Sequence, residues 1–296
     1  MRKPYAGAYA LVCLSVVLSL VTLAIRTDAQ VSRTDTARSY LERGIHSLAK
    51  GEVERAMSDF NLAVASDPQL AAAWYNRAVI RYDKNDFAGA IKDLDEALRL
   101  DPRYVLAYVK CGNAHVEQDD WEAALKDYNE AVRIDPKSVL AVNNRGLMRQ
   151  RMKDYDGALS DYKRALQLEP KNPLLFNNRA SVKHDLRDYA GAIADYDRAI
   201  ALDPAWAAAW CNRGLARKAM GDLRGALADY DQAIQLKPDF ALAYFNRAWV
   251  KRALGKGDEA QADFERSLQL RDAAVTSGAA SFKQVKLAEA EPKPKP

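Results

Sequence analysis

Apolar residues fall at i, i+3, i+4 and i+7 in two successive stretches of every 34-residue interval between Ala37 and Ala274. That spacing puts an apolar stripe on each of two amphipathic helices and leaves the opposite side polar. Short polar segments such as Lys153-Asp154-Tyr155, Arg187-Asp188-Tyr189 and Gly221-Asp222-Leu223 separate the two stretches; their side chains compete with helical hydrogen bonding. A proline follows the second stretch at Pro68, Pro102, Pro136, Pro170, Pro204 and Pro238, and the residue before a proline is pushed out of the helical region. The predicted unit is therefore a helical hairpin. Seven are expected, over 37–70, 71–104, 105–138, 139–172, 173–206, 207–240 and 241–274. One hairpin cannot bury its apolar face alone, so the units must stack.

With each proline at position 32 of its unit, other positions fall into register. Position 4 is bulky in every unit: Tyr40, Trp74, Tyr108, Val142, Phe176, Trp210 and Tyr244. Position 8 is always Gly or Ala, position 20 is always Ala, and position 27 is Ala except at Ser267. Small residues at fixed places let two helices approach closely while the bulky position fills the space beside them.

These residues resemble the tetratricopeptide repeat family, with its 34-residue unit and its W-x2-LG-x2-Y, A-x3-F and P pattern. The likeness runs from Ala37 to about Ala274. It implies an all-α, right-handed α-solenoid of seven helix-turn-helix units with a concave groove. Departures occur at Leu94, where the pattern wants an aromatic ring, and in the last unit, where Gly257 and Asp272 break it. A terminal unit that drifts is expected of a cap.

Charge alters this picture little. The formal net charge is +4, and it resides at the ends. Arg2, Lys3 and Arg26 face only Asp28 in the first 29 residues, and the tail beyond Thr276 holds four lysines against Glu289 and Glu291. The repeats are thus near neutral, which speaks against nucleic acid as a partner, since such binding rests on neutralising phosphates. The start, Arg2-Lys3 followed by an uncharged apolar run from Ala6 to Ile25 and then Thr27-Asp28-Ala29, has the layout of a secretory signal cleaved after Ala29. A run of that length also suits a single membrane-spanning anchor. Residues 1–29 are accordingly read as signal or anchor, 30–36 as a linker and 275–296, rich in Lys and Pro, as a disordered tail. The expected location is extracytoplasmic, periplasmic or secreted, with single-pass anchoring as the alternative and membrane contact only through that segment.

No catalytic constellation and no cofactor signature stands out. His46, His115 and His184 lie in different units, and none is read as having a thiol or carboxylate at metal-ligand spacing, so no metal is expected. Cys111 and Cys211 stand three units apart, too distant for a disulfide. Asp119-Asp120 reads as a helix cap.

Two ladders remain. Arg fills position 7 at Arg43, Arg77, Arg145, Arg179, Arg213 and Arg247, with Cys111 as the exception, and Asp fills position 23 in all seven units. Paired charges would lace the hairpins together. The other ladder is Asn at position 6, namely Asn76, Asn144, Asn178, Asn212 and Asn246, with Lys110 in the third unit. The family resemblance puts this position on the groove, where an amide donates to and accepts from an extended peptide backbone at once. Four residues earlier, Leu106, Leu140, Leu174 and Leu242 form an apolar shelf on the same helix face. The chain is therefore expected to be a non-enzymatic scaffold binding an extended segment of a partner protein; alternatives are an assembly spacer of envelope complexes or an accessory acting in trans on an enzyme. The family's carboxylate clamp for chaperone tails wants Lys at position 2, and none is there.

Overall fold

The computed structural model describes residues 33–276, and every described element is an α-helix or a turn. Helix α1 spans 33–49. It is followed by α2 (Val53–Ser66), α3 (Ala71–Asp83), α4 (Phe87–Leu100), α5 (Val105–Glu117), α6 (Trp121–Ile134), α7 (Val139–Arg151) and α8 (Tyr155–Leu168). Then come α9 (Pro173–Asp185), α10 (Tyr189–Leu202), α11 (Ala207–Ala219), α12 (Leu223–Leu236), α13 (Ala241–Ala253) and α14 (Gly257–Thr276). Odd-numbered helices are the first of each hairpin and even-numbered ones the second, giving an all-α solenoid. The chain divides into two compact units, one ending at Ala141 and the other starting at Val142. The signal or anchor, residues 30–32 of the linker and the tail from 277 onward lie outside the described residues, whereas 33–36 open α1 and 275–276 close α14. Among the described residues no helix is long and apolar enough to cross a membrane.

The turns follow from single residues. Within each hairpin, position 15 has positive φ in every unit, from Asp119 at 61° to Gly221 at 85°, which reverses the chain after the first helix. The next residue is Asp86, Asp120, Asp154, Asp188 or Asp222 in five units, and its carboxylate accepts from the backbone N–H three residues on, satisfying an orphan donor of the second helix. Asp120 is the cap that the sequence suggested. Before each proline the chain is extended, as at Asp67 with φ −138° and ψ 95°, where the carboxylate also accepts from Gln69 N–H.

Packing explains the small positions. Ala56, Ala90, Ala124, Ala158, Ala192 and Ala226 are fully buried, one side of each even helix pressed against its neighbour. Ser267, which replaces the usual Ala, donates its hydroxyl to Ala241 C=O at 2.9 Å, so the exception is satisfied. In the first compact unit the Tyr128 ring lies against Gly112 and its hydroxyl donates to Asn113 at 2.7 Å. In the second, Tyr162 fills the same place beside Gly146. The bulky position 4 does more than fill space. Trp74 and Trp210 donate their indole N–H to Pro68 C=O and Pro204 C=O at 3.0 and 2.9 Å, tying a hairpin to the proline turn before it.

Candidate functional site

In the four repeats that carry Leu at position 2, that residue lies on the exposed side of the hairpin's first helix. Leu106, Leu140, Leu174 and Leu242 are each 44–50% exposed. Leu106 and Leu140 belong to the first compact unit, Leu174 and Leu242 to the second. Ile45 and Leu147, seven residues beyond position 2, are also exposed and extend the apolar strip along α1 and α7.

The Asn ladder is divided. Asn178 and Asn246 are only 8% and 3% exposed, and both are engaged between repeats. Asn178 donates to Asn143 Oδ1 at 2.9 Å and Asn246 points its amide at Cys211 Sγ, 4.0 Å away. Asn212 makes the same reach to Asn177 Oδ1 at 3.0 Å but stays half-buried. Each position-6 amide of the second unit from Asn178 onward thus meets position 5 of the preceding repeat. This corrects the expectation that all five amides serve a peptide: burial and a neighbour's oxygen or sulfur give Asn178 and Asn246 a structural task. Asn76, which donates to Ala72 C=O at 2.8 Å, and Asn144 remain half-buried. Lys110 holds its ammonium over the Tyr82 ring at 4.6 Å. Asn76, Asn144 and Asn212 are the half-buried members of the ladder, and Asn144 Oδ1 accepts from Asn143 at 3.2 Å.

The charge ladder resolves within each hairpin. Six arginines grip the position-23 aspartate of their own unit with two nitrogens, Nη2 at 2.5–2.7 Å and Nε at 2.7–3.0 Å. Those carboxylates are 2–7% exposed. A second cation, not singled out from the sequence, comes from position 11: Arg81, Arg149, Lys183, Arg217 and Lys251 reach the same aspartates at 2.8–2.9 Å. Its signal was present as a basic residue four after five of the six position-7 arginines, Arg43 with Ser47 being the exception, one helical turn further along the same face. Arg213 and Arg247 also reach back to Asp197 and Asp231 at 2.6 and 2.7 Å, linking consecutive hairpins. The arginines stack over position-4 rings as well, as Arg77 does over Trp74 at 4.7 Å. Burial pushes the Asp263 carboxyl up, but hydrogen bonds from Arg247 and Lys251 outweigh it and hold it below the usual range.

The third hairpin breaks this rule. Position 7 is Cys111 and position 11 is His115, so Asp127 faces a thiol and an imidazole instead of two fixed cations. Their ligand atoms all lie within 4.8 Å of one another. This corrects the sequence reading that no thiol or carboxylate neighbours a histidine: Cys111 is one helical turn before His115, and the hairpin brings Asp127 from α6 across to both. Burial raises the Asp127 carboxyl to about 6 against a hydrogen bond from Cys111, and burial also drives the Cys111 thiol well up. A thiol so protonated is a poor nucleophile.

Tetratricopeptide repeat sequence models match residues 35–105 and 75–139, 112–175, 207–240 and 241–273, and a TPR repeat model matches 182–221. No curated protein matches the chain. Among solved structures, a tetratricopeptide repeat protein from Parabacteroides merdae is similar at 20% identity, covering 80% of this chain and 93% of that one with a TM-score of 0.68. Pseudomonas aeruginosa pilF is similar at 23% identity, covering 72% and 96% with a TM-score of 0.62. YrrB, described as a TPR protein with an unusual peptide-binding site, is 23% identical, covering 62% and 95% with a TM-score of 0.51. At these identities the likeness is one of fold. With matches running through 35–175 and 182–273 and seven hairpins in one register, the chain belongs to the tetratricopeptide repeat family.

Proposed function

We propose that the chain is a non-enzymatic interaction scaffold that holds an extended segment of a partner protein against the first helices of its hairpins. The observation that carries this reading is the exposure of Leu106, Leu140, Leu174 and Leu242 at one repeated position, on helices whose position-6 amides Asn76, Asn144 and Asn212 are only half-buried. Apolar side chains kept half in water at the same repeat position in four of the seven units suit an extended peptide with modest apolar side chains. The amides of Asn144 and Asn212 would read its backbone. Each net hydrogen bond of this kind is worth about 1 kcal/mol. For peptides selected from a random library on the intact chain, Asn144→Ala with Asn212→Ala should therefore weaken binding roughly tenfold or more. Asn178→Ala should instead lower the melting temperature. Unchanged affinity in the double variant would remove the amides from the reading.

The N-terminal run favours an extracytoplasmic scaffold, released by cleavage after Ala29 or held by an uncleaved anchor. The intact mass of the chain recovered from an exporting host distinguishes these: a chain starting at Gln30 supports cleavage, and a full-length chain in the membrane fraction supports the anchor. Recovery of the full-length chain from the soluble cytoplasm contradicts both.

A further inference from the structure

The third hairpin carries a group of side chains that the scaffold reading leaves without use. Every other repeat answers its buried position-23 aspartate with arginine at position 7, and five add a second cation at position 11. In the third, both are exchanged, for Cys111 and His115 together. The carboxylate is still partly withdrawn from water: the Asp127 side chain is 16% exposed and that of His115 20%, while Cys111 is 2% exposed. His115 Nε2 stands 3.7 Å from Asp127 Oδ2 and His115 Nδ1 4.0 Å from Asp120 Oδ2. Asp127 Oδ2 and His115 Nδ1 are both buried atoms without a hydrogen-bond partner. Such atoms are costly unless something else satisfies them.

Asp95, on α4, adds a second carboxylate to this surrounding. Its equivalents Asp197 and Asp231 are held by the position-7 arginines of the next repeat, but here that position is Cys111. Its charge is felt by both Cys111 and Asp127. Asp95 and Asp127 thus lack the arginine that their counterparts share elsewhere.

We propose that Cys111, His115 and Asp127 bind a zinc-class divalent transition metal, which takes the place of the two cations found in the sister repeats. The ligand chemistry fits. Thiolate, imidazole and carboxylate together are a borderline-soft set that suits zinc and disfavours magnesium or calcium. Three protein ligands leave a fourth position for water. Donors at about 2.0–2.3 Å from one ion lie roughly 3.5 Å apart in a tetrahedron, so the 4.8 Å spread closes with an inward turn of about an ångström. Cys111 and His115, at i and i+4, share one face of α5, and α6 supplies the third ligand across the hairpin. A bound ion would pin α5 to α6 as the arginine clamp does elsewhere.

The test uses the full chain, reduced without added thiols and stripped of metal with a chelator. Zinc chloride is titrated by calorimetry, and cobalt(II) chloride is followed by absorption. One equivalent of zinc is expected, with a rise in melting temperature and a thiolate-to-cobalt charge-transfer band. Cys111→Ser should weaken zinc more than about a hundredfold and remove the band, whereas Cys211→Ser should change neither. The double variant Cys111→Arg/His115→Lys rebuilds the sister-repeat clamp, so it should keep helix content and melting temperature while losing the ion. Absence of zinc binding at millimolar concentration overturns the proposal. So does binding that survives in the folded double variant, or a cobalt spectrum that lacks the thiolate band.

Discussion

Asp229→Asn is expected to cost about 3–5 kcal/mol of stability, a fall in melting temperature on the order of 10 °C for a chain of this size. The substitution keeps the volume of the side chain and removes only its charge. Asp229 is 2% exposed and lies between Arg213 at 2.6 Å and Arg217 at 2.9 Å. Without the carboxylate two guanidinium groups are left side by side and partly buried, answered only by the more exposed Asp197 at Arg213 and Asp222 at Arg217. Breaking a buried pair from one side is far more damaging than never having built it. Asp127→Asn, in chelator-treated protein, supplies the contrast. Burial already disfavours the Asp127 charge, and neither of its ladder neighbours, Cys111 and His115, is a fixed cation. Its neutralisation is expected to leave stability unchanged or slightly higher. Chemical denaturation of both variants checks the pair, and equal losses would contradict the ladder geometry.

Replacing Leu106, Leu140, Leu174 and Leu242 together with Ser is expected to abolish most peptide binding while sparing the fold. Each leucine is already about half in water, so the folded chain loses little by the change. A bound peptide covering the other half gains about 1 kcal/mol per leucine. A segment that engages two of them therefore weakens by about 2 kcal/mol, roughly thirtyfold. The control is Leu168→Ser with Leu202→Ser, exposed to a similar degree but at the ends of the second helices α8 and α10. Affinity should not respond to that pair. Titration calorimetry with selected peptides reads both variants, and circular dichroism confirms that each remains helical.

Much of this was legible from the sequence because the repeat multiplies each signal. A single proline or aspartate says little, but Pro68 through Pro238 at constant spacing set a register, and the register put Arg213 and Asp229 in matching places. The position-11 cations were in plain view yet carried no message until the hairpin showed that positions 7, 11 and 23 converge. The amide ladder was misjudged at Asn178 and Asn246 for a related reason. A helix face seen in one repeat does not reveal that position 6 approaches position 5 of the repeat before it, which for Asn178 is Asn143. His115 was hidden by distance in sequence: Asp127 lies twelve residues on, in another helix, and only the turn at Asp119 and Asp120 brings it back.

The most direct test of the peptide-binding surface is a methyl spectrum of the intact, leucine-labelled chain titrated with a selected peptide. The account predicts shifts at Leu106 and Leu140, or at Leu174 and Leu242, with Leu168 and Leu202 unmoved. Shifts confined to Leu168, Leu202 or other second-helix leucines, or no shift at any of the four, would contradict it.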